Sequence, residues 1–236
     1  MENQMAFYAP TETEKRSFLT RTYLWMGIAL LVSAAVSFFS ASSGLIISIL
    51  RATGGMGILI LCIAEIALVM GLSSSIRRIS VANARLLFIL YSALNGLTLS
   101  TIFFTYTASS IGICFVSAAA MFFAMSLYGL RTKSDLTSAG RYLMMALVGI
   151  IIASLLNGIL FIFGAGSTML DWLISVVSVV VFTGLTAYDS QKLMRTSSRA
   201  DSSDDFKKIA VFGALELYLD FINIFLSLLR LFGNRK

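Results

Sequence analysis

The sequence predicts an all-α, polytopic membrane protein with seven transmembrane helices, and three observations carry that reading. The 236 residues are 58% hydrophobic and only 13% charged, with a mean hydropathy of +0.88, well above the apolar share of soluble domains. Seven apolar runs are long enough for a bilayer core about 30 Å thick, which takes roughly 20 helical residues per crossing. The single proline, Pro10, precedes all seven. Every run is therefore free to be helical and to satisfy its own N–H and C=O groups in lipid.

The first run, Thr22 to Phe39, follows Arg21 and ends in a Ser/Ala/Gly cluster. The second, Gly57 to Ser73, stops before Arg77 and Arg78, and the third, Leu86 to Tyr106, starts after Arg85. Ile111 to Leu130 is closed by Arg131, Tyr142 to Phe163 opens after Arg141, and Trp172 to Gln191 stops at Lys192. The last, Ile209 to Phe232, follows Lys207 and Lys208. Residues 1–21 are expected to form a polar leader and residues 22–236 one membrane domain. The leader is long for the n-region of a signal peptide, and the charge pattern is coherent only if the first span is retained. Cys62 and Cys114 lie within spans 2 and 4, where they read as small apolar fillers rather than a disulfide or metal framework.

A net charge of +6 raises the question of nucleic acid, but the basic residues are sorted by side. With alternating crossings, 14 of the 18 Lys and Arg residues collect on one face. The positive-inside rule then places the N-terminus in the cytoplasm and, after seven spans, the C-terminus outside. Nucleic acid is not expected as a partner; the lipid bilayer is.

Ionisable residues at membrane depth are costly and mark function by default. They are Glu65 in span 2, Asp189 near the inner end of span 6, and Glu216 and Asp220 in span 7. On a helix, Glu216, Asp220, Asn223, Ser227 and Arg230 fall on one stripe, and Ser175, Ser178, Thr186 and Asp189 form a matching face on span 6. Span 7 is thus expected to stand inside the bundle. Counted from Lys207/Lys208, Glu216 lies about 13 Å deep and Asp220 about 19 Å deep, and Asp189 reaches a comparable depth if span 6 continues to Arg195. Two carboxylates in a low-dielectric site cannot both ionise cheaply and titrate as a unit. They also offer the hard oxygen ligands that Ca²⁺ prefers. The plainer reading is that the acids join helices, with Arg77, Arg78 and Arg230 available as partners. Asn95 and Asn157 read as packing hydrogen bonds, Asp135 as a cap for span 5, and Asp201, Asp204 and Asp205 as part of a solvated loop.

The segments AYDSQKL (187–193) and LYLDFINIFLSLLRLFG (217–233) resemble the two C-terminal signatures of the transmembrane Bax inhibitor motif family. NGLTLS (95–100) and the stretch from Tyr128 to Asn157 resemble its bacterial members. The resemblance implies a seven-helix fold with the last helix central and a pH-sensitive calcium leak. Its paired aspartates, the proton sensor and gate, fall on Asp189 and Asp220, which are also the implied calcium-contacting pair. Its second-helix acid falls on Glu65, and its latching arginine on Arg77 or Arg78. Glu216 stands where a small polar residue is expected, and with Glu65 and Asn223 it is assigned to the ion path.

An intramembrane aspartyl protease is a poor match, because the second aspartate sits in LYLD rather than GxGD. A Ser-His protease is excluded by the lack of histidine, and a retinal protein lacks a deep lysine. The expectation is a non-enzymatic leak without a cofactor, handling calcium ions and protons in a bacterial inner membrane. The rival is a regulatory protein that binds membrane-protein partners, a protease or a stress or cell-death pathway, with the carboxylates purely structural.

Overall fold

The computed structural model describes residues 11–236 apart from Gly55, Ile76, Arg77, Ala200 and Ser202, and apart from the side chain of Ile162. The described chain is helical from end to end, with no strand. Seven helices are long and apolar enough to cross a membrane. In order they are α1 (Glu12–Ser43), α3 (Gly57–Ser75), α4 (Val81–Leu99) continued by α5 (Ile102–Thr105), α6 (Ala108–Arg131), α7 (Thr137–Ile162), α8 (Thr168–Ser197) and α9 (Asp204–Phe232), with the short α2 (Leu45–Ala52) between α1 and α3.

The helix ends follow capping chemistry that hydropathy alone does not report. α1 starts ten residues before the expected span, inside the supposed leader. Thr11 and Glu14 close a capping box there, each accepting from the other's backbone N–H, which stabilises a helix start whatever the hydropathy. Gly44, at φ 71°, turns the chain out of α1, a conformation that favours glycine, and α2 begins there as a surface helix with only Ile46 buried. The expected third span is broken near its end. The Ser100 hydroxyl bonds back to the Leu97 carbonyl and the Thr101 hydroxyl to that of Thr98, so side chains compete with the helical ladder. Asp204 and Asp205, expected in a loop, form the first turn of α9. Ser203 caps that turn and the two acids face its positive end.

α9 is packed against α1, α4, α6 and α8. In its most apolar stretch 67% of residues are buried, against 11% for α3 and for α7. Aromatic rings surround it: Phe88 and Tyr91 stand edge-on to Tyr218, each at 5.8 Å, and Phe115 and Phe122 to Phe221, at 5.3 and 5.8 Å. Such pairs add about 0.5–1.5 kcal/mol each beyond area burial. Elsewhere close approach replaces side chains. A Cβ at Gly129 would collide with the Ala187 backbone across the α6–α8 crossing, and one at Gly96 would meet the Ser33 carbonyl at 2.7 Å across α1–α4. Small residues at such crossings let helices associate in lipid, where the hydrophobic effect supplies no drive.

By contrast α3 and α7 present Ile63, Ile66, Met70, Ile151 and Leu155 outward. α3 packs along α4 and α7 along α8, and neither packs extensively on α9. Clefts remain between these two outer helices and the polar side of α9. At the end opposite the N-terminus, the tail is clipped to the α5–α6 turn: Thr107 N–H donates to Asn234 O and Lys236 N–H to Thr105 O, each at 3.0 Å.

Candidate functional site

The polar arc expected on α8 is real: Ser175, Ser178, Thr186 and Asp189 are all buried. It faces α9, the helix with which α8 packs most extensively. Asp189, Glu216 and Asp220 line one cavity of about 430 Å³, closed on its other side by Met144, Leu147 and Ile151 of α7. A second cavity of about 550 Å³ continues past Leu219 and Asn223, which line both, towards Glu65, Tyr91 and Arg230. The acids and amide assigned from sequence, Glu65, Asp189, Glu216, Asp220 and Asn223, are therefore strung along two adjoining cavities. Asn223 Nδ2 donates to the Leu219 carbonyl of its own helix at 2.8 Å.

The cation at this site is one that the sequence reading did not assign to it. Lys192 Nζ lies 2.6 Å from Glu216 Oε1 and 4.0 Å from Asp189 Oδ1. Its signal was local: Lys192 is one helical turn beyond Asp189 and shares its face. Of the two arginines proposed as a latch, Arg78 is exposed and Arg77 lies outside the described residues. Arg230 pairs with Asp171 near the start of α8, at 3.8 Å.

Asp220 is only 4% exposed. The Thr186 hydroxyl donates to the Phe182 carbonyl of its own helix at 2.8 Å, while Asp220 Oδ2 is buried without a hydrogen-bond partner. A buried oxygen in that state carries a desolvation cost of about 1–3 kcal/mol. Among the described residues no three ligating side chains are gathered as a metal site, and the Lys192 ammonium already stands against Glu216 and Asp189.

Glu65 differs in every respect. Its Oε1 accepts from Thr98 at 2.6 Å and its Oε2 from Asn95 at 3.2 Å. Asn95 Oδ1 accepts from the Tyr218 hydroxyl at 2.8 Å, and that hydroxyl also bonds to Ser33 at 2.7 Å. The chain of bonds ties α3, α4, α9 and α1 together. Thr98 and Tyr218 lie in the segments NGLTLS and LYLDFINIFLSLLRLFG, but neither they nor Ser33 were singled out, since a hydroxyl in an apolar run looks like any other.

The remaining polar residues fasten loops. Asn157 clamps Ser167 through two bonds, at 3.0 and 3.2 Å. Asp135 accepts from the Thr137 N–H at 2.9 Å and from Arg195 at 2.7 Å, one position before the helix cap at Leu136. The Thr137 hydroxyl and N–H, and then the Arg195 guanidinium, hold its carboxyl well below the usual carboxylate range. Gln191 of the AYDSQKL segment receives the Leu136 N–H and donates to the Ser134 carbonyl, joining the α6–α7 connection to α8.

Seven apolar helices, the last of them buried among its neighbours, with three carboxylates and a lysine lining the cleft beside the final two, define an integral membrane protein with an acidic centre between its helices. Residues 15–236 match the family described as "Inhibitor of apoptosis-promoting Bax1", and the chain belongs to this Bax inhibitor-1 family. It is 47% identical over 223 residues to the inner membrane protein YbhL of Escherichia coli, covering 94% of this chain and 93% of that one. It is 42% identical to an uncharacterized protein of Borreliella burgdorferi, over 94% of each chain. An uncharacterized membrane protein of Streptococcus pyogenes is 39% identical over 98% of this chain and 99% of its own length.

Proposed function

We propose that this protein is a non-enzymatic calcium leak of the inner membrane, N-terminus in the cytoplasm and C-terminus outside, with Asp189 and Asp220 as its proton-sensitive gate. The observation that carries the reading is the unpartnered Oδ2 of Asp220, a buried polar atom beside a cavity that abuts a second one reaching Arg230. Helix-joining carboxylates are expected to have both oxygens engaged, as Glu65 does. Glu216, Glu65 and Asn223 supply further oxygens along the path, and Ca²⁺ as the permeant ion needs only weak, successive contacts of this kind.

Lys192 sets the sign of the response. Its ammonium joins α8 to α9 through Glu216 and lies 4.0 Å from Asp189. Protonation of the Asp189–Asp220 pair removes the aspartate's share of that hold, as it would for an arginine latch from the segment after α3. Acidification from about pH 8 to about pH 6 should therefore increase Ca²⁺ flux in liposomes, and Asp189→Asn and Asp220→Asn should each flatten the profile non-additively. A double variant whose profile overlays that of the parent protein removes the gate assignment. A folded parent protein that passes no Ca²⁺ at any pH leaves the regulatory interaction protein as the better reading.

A further inference from the structure

We propose that Arg230 is a charge filter for the second cavity, the one of about 550 Å³: its guanidinium disfavours cations there, and the Asp171 carboxylate sets how strongly. For calcium the inference rests on the proposed leak; for charge as such it stands apart from it.

Arg230 stands in the last turn of α9 and ends the polar stripe that carries Glu216, Asp220 and Asn223. Its Nε donates back to the Leu226 carbonyl, one turn earlier, at 3.4 Å, so the side chain follows the helix and forms part of the cavity wall. Among the described residues that line this cavity, Arg230 is the one cation and Glu65 the one acid. Glu65 is met by neutral donors from α4. The carboxylate that answers Arg230 is Asp171 of α8, which is not among the lining residues.

That answer is loose. Arg230 Nη1 is 3.8 Å from Asp171 Oδ1, with the two side chains 34% and 38% exposed, whereas Lys192 at the first cavity is 2.6 Å from Glu216. Ion pairs as open as Arg230–Asp171 add little to stability. A cation on the cavity wall with its counter-charge behind it leaves a positive potential in the cavity, and an arginine so placed is an electrostatic barrier to cations. The plain alternative is a strut that joins α8 to α9. The two readings differ in sign. Losing either partner of a strut has the same consequence, but in a filter Arg230→Gln removes the positive charge and Asp171→Asn unmasks it.

Cys62 provides a readout that needs no ion flux, because it is half-buried and lines the same cavity, while Cys114 is buried in α6. The full chain in detergent, at low salt, is labelled at Cys62 with a cationic and an anionic methanethiosulfonate, each rate referred to a free thiol. Arg230→Gln should raise the cationic-to-anionic rate ratio roughly fivefold, the scale of one unit charge acting through water on reagents of opposite sign. Asp171→Asn should lower it. Both positions are partly exposed, so neither variant disturbs the core. In liposomes Ca²⁺ flux should rise in Arg230→Gln and fall in Asp171→Asn. Ratios that move together or not at all, a Cys62 that neither reagent reaches, or a calcium leak that both variants leave unchanged overturns the filter. A parent protein that passes no Ca²⁺ while the two ratios move in opposite directions removes the leak and supports the filter.

Discussion

Glu65 and Asp220 are both carboxylates within apolar spans, lining adjoining cavities, yet their surroundings are opposite. Glu65 has each oxygen met by a neutral donor from α4, at the end of a bond network through Asn95 and Tyr218 to Ser33. Asp220, two residues along α9 from Tyr218 and so on its far side, keeps one oxygen unpartnered and shares its cavity with Asp189, Glu216 and Lys192. A fully satisfied polar network rigidifies and specifies a fold. An incompletely satisfied one stores a cost that a proton, a water or an ion can relieve. On the proposed reading, that difference separates a structural acid from a responsive one on the same helix bundle.

The contrast is tested most strongly by removing each acid. Glu65→Ala strands the Thr98 hydroxyl and the Asn95 amide and should cost roughly 2–3 kcal/mol, read as a lowered melting temperature in detergent. Asp220→Asn strands nothing on Oδ2 and should change stability at neutral pH by no more than about 1 kcal/mol. Equal losses for the two variants would abolish the distinction.

A smaller effect is expected at the link between the two regions. Tyr218→Phe keeps the ring contacts with Phe88 and Tyr91 but removes the hydroxyl shared by Asn95 and Ser33, at a cost of about 1–2 kcal/mol. Because Tyr218 faces away from Asp220, the pH profile of Ca²⁺ flux in liposomes should keep its shape. A shifted profile would mean that the network and the acidic centre act as one unit.

The smallest effect belongs to a carboxylate outside the membrane. Asp135, held by Thr137 and Arg195, has its carboxyl below the usual range, so its ionised form favours the folded state. That contribution is present above the ordinary aspartate value of about 4 and is lost as pH falls through the lower folded-state value. Asp135→Asn should lower the melting temperature slightly at pH 7, and the gap from the parent protein should narrow in acid. A gap that widens on acidification would reverse the sign argued here.

The long spans were legible because length and hydropathy are properties of the chain itself, and a bilayer leaves helices as the only way to satisfy an apolar backbone. The acids were legible for the related reason that charge at depth is rare, and helical spacing placed them on common faces. The short α2 and the break between α4 and α5 were not visible. Both depend on single hydroxyls and one left-handed glycine, too local to register in a 20-residue hydropathy pattern.

By itself, then, the sequence determined seven crossings, their polar stripes and the acids that break the apolar rule, since composition and periodicity report which surfaces cannot face lipid. Only the tertiary structure decided which of those acids are satisfied. It set Thr98 and Asn95 against Glu65 and Lys192 between Glu216 and Asp189, and it left Asp220 with one buried oxygen unpartnered. The pairings of Glu65 with Asn95 and Thr98 and of Lys192 with Glu216 join residues 24 to 33 positions apart in the chain, and they form only because the crossings of α3 with α4 and of α8 with α9 bring the side chains within hydrogen-bond reach.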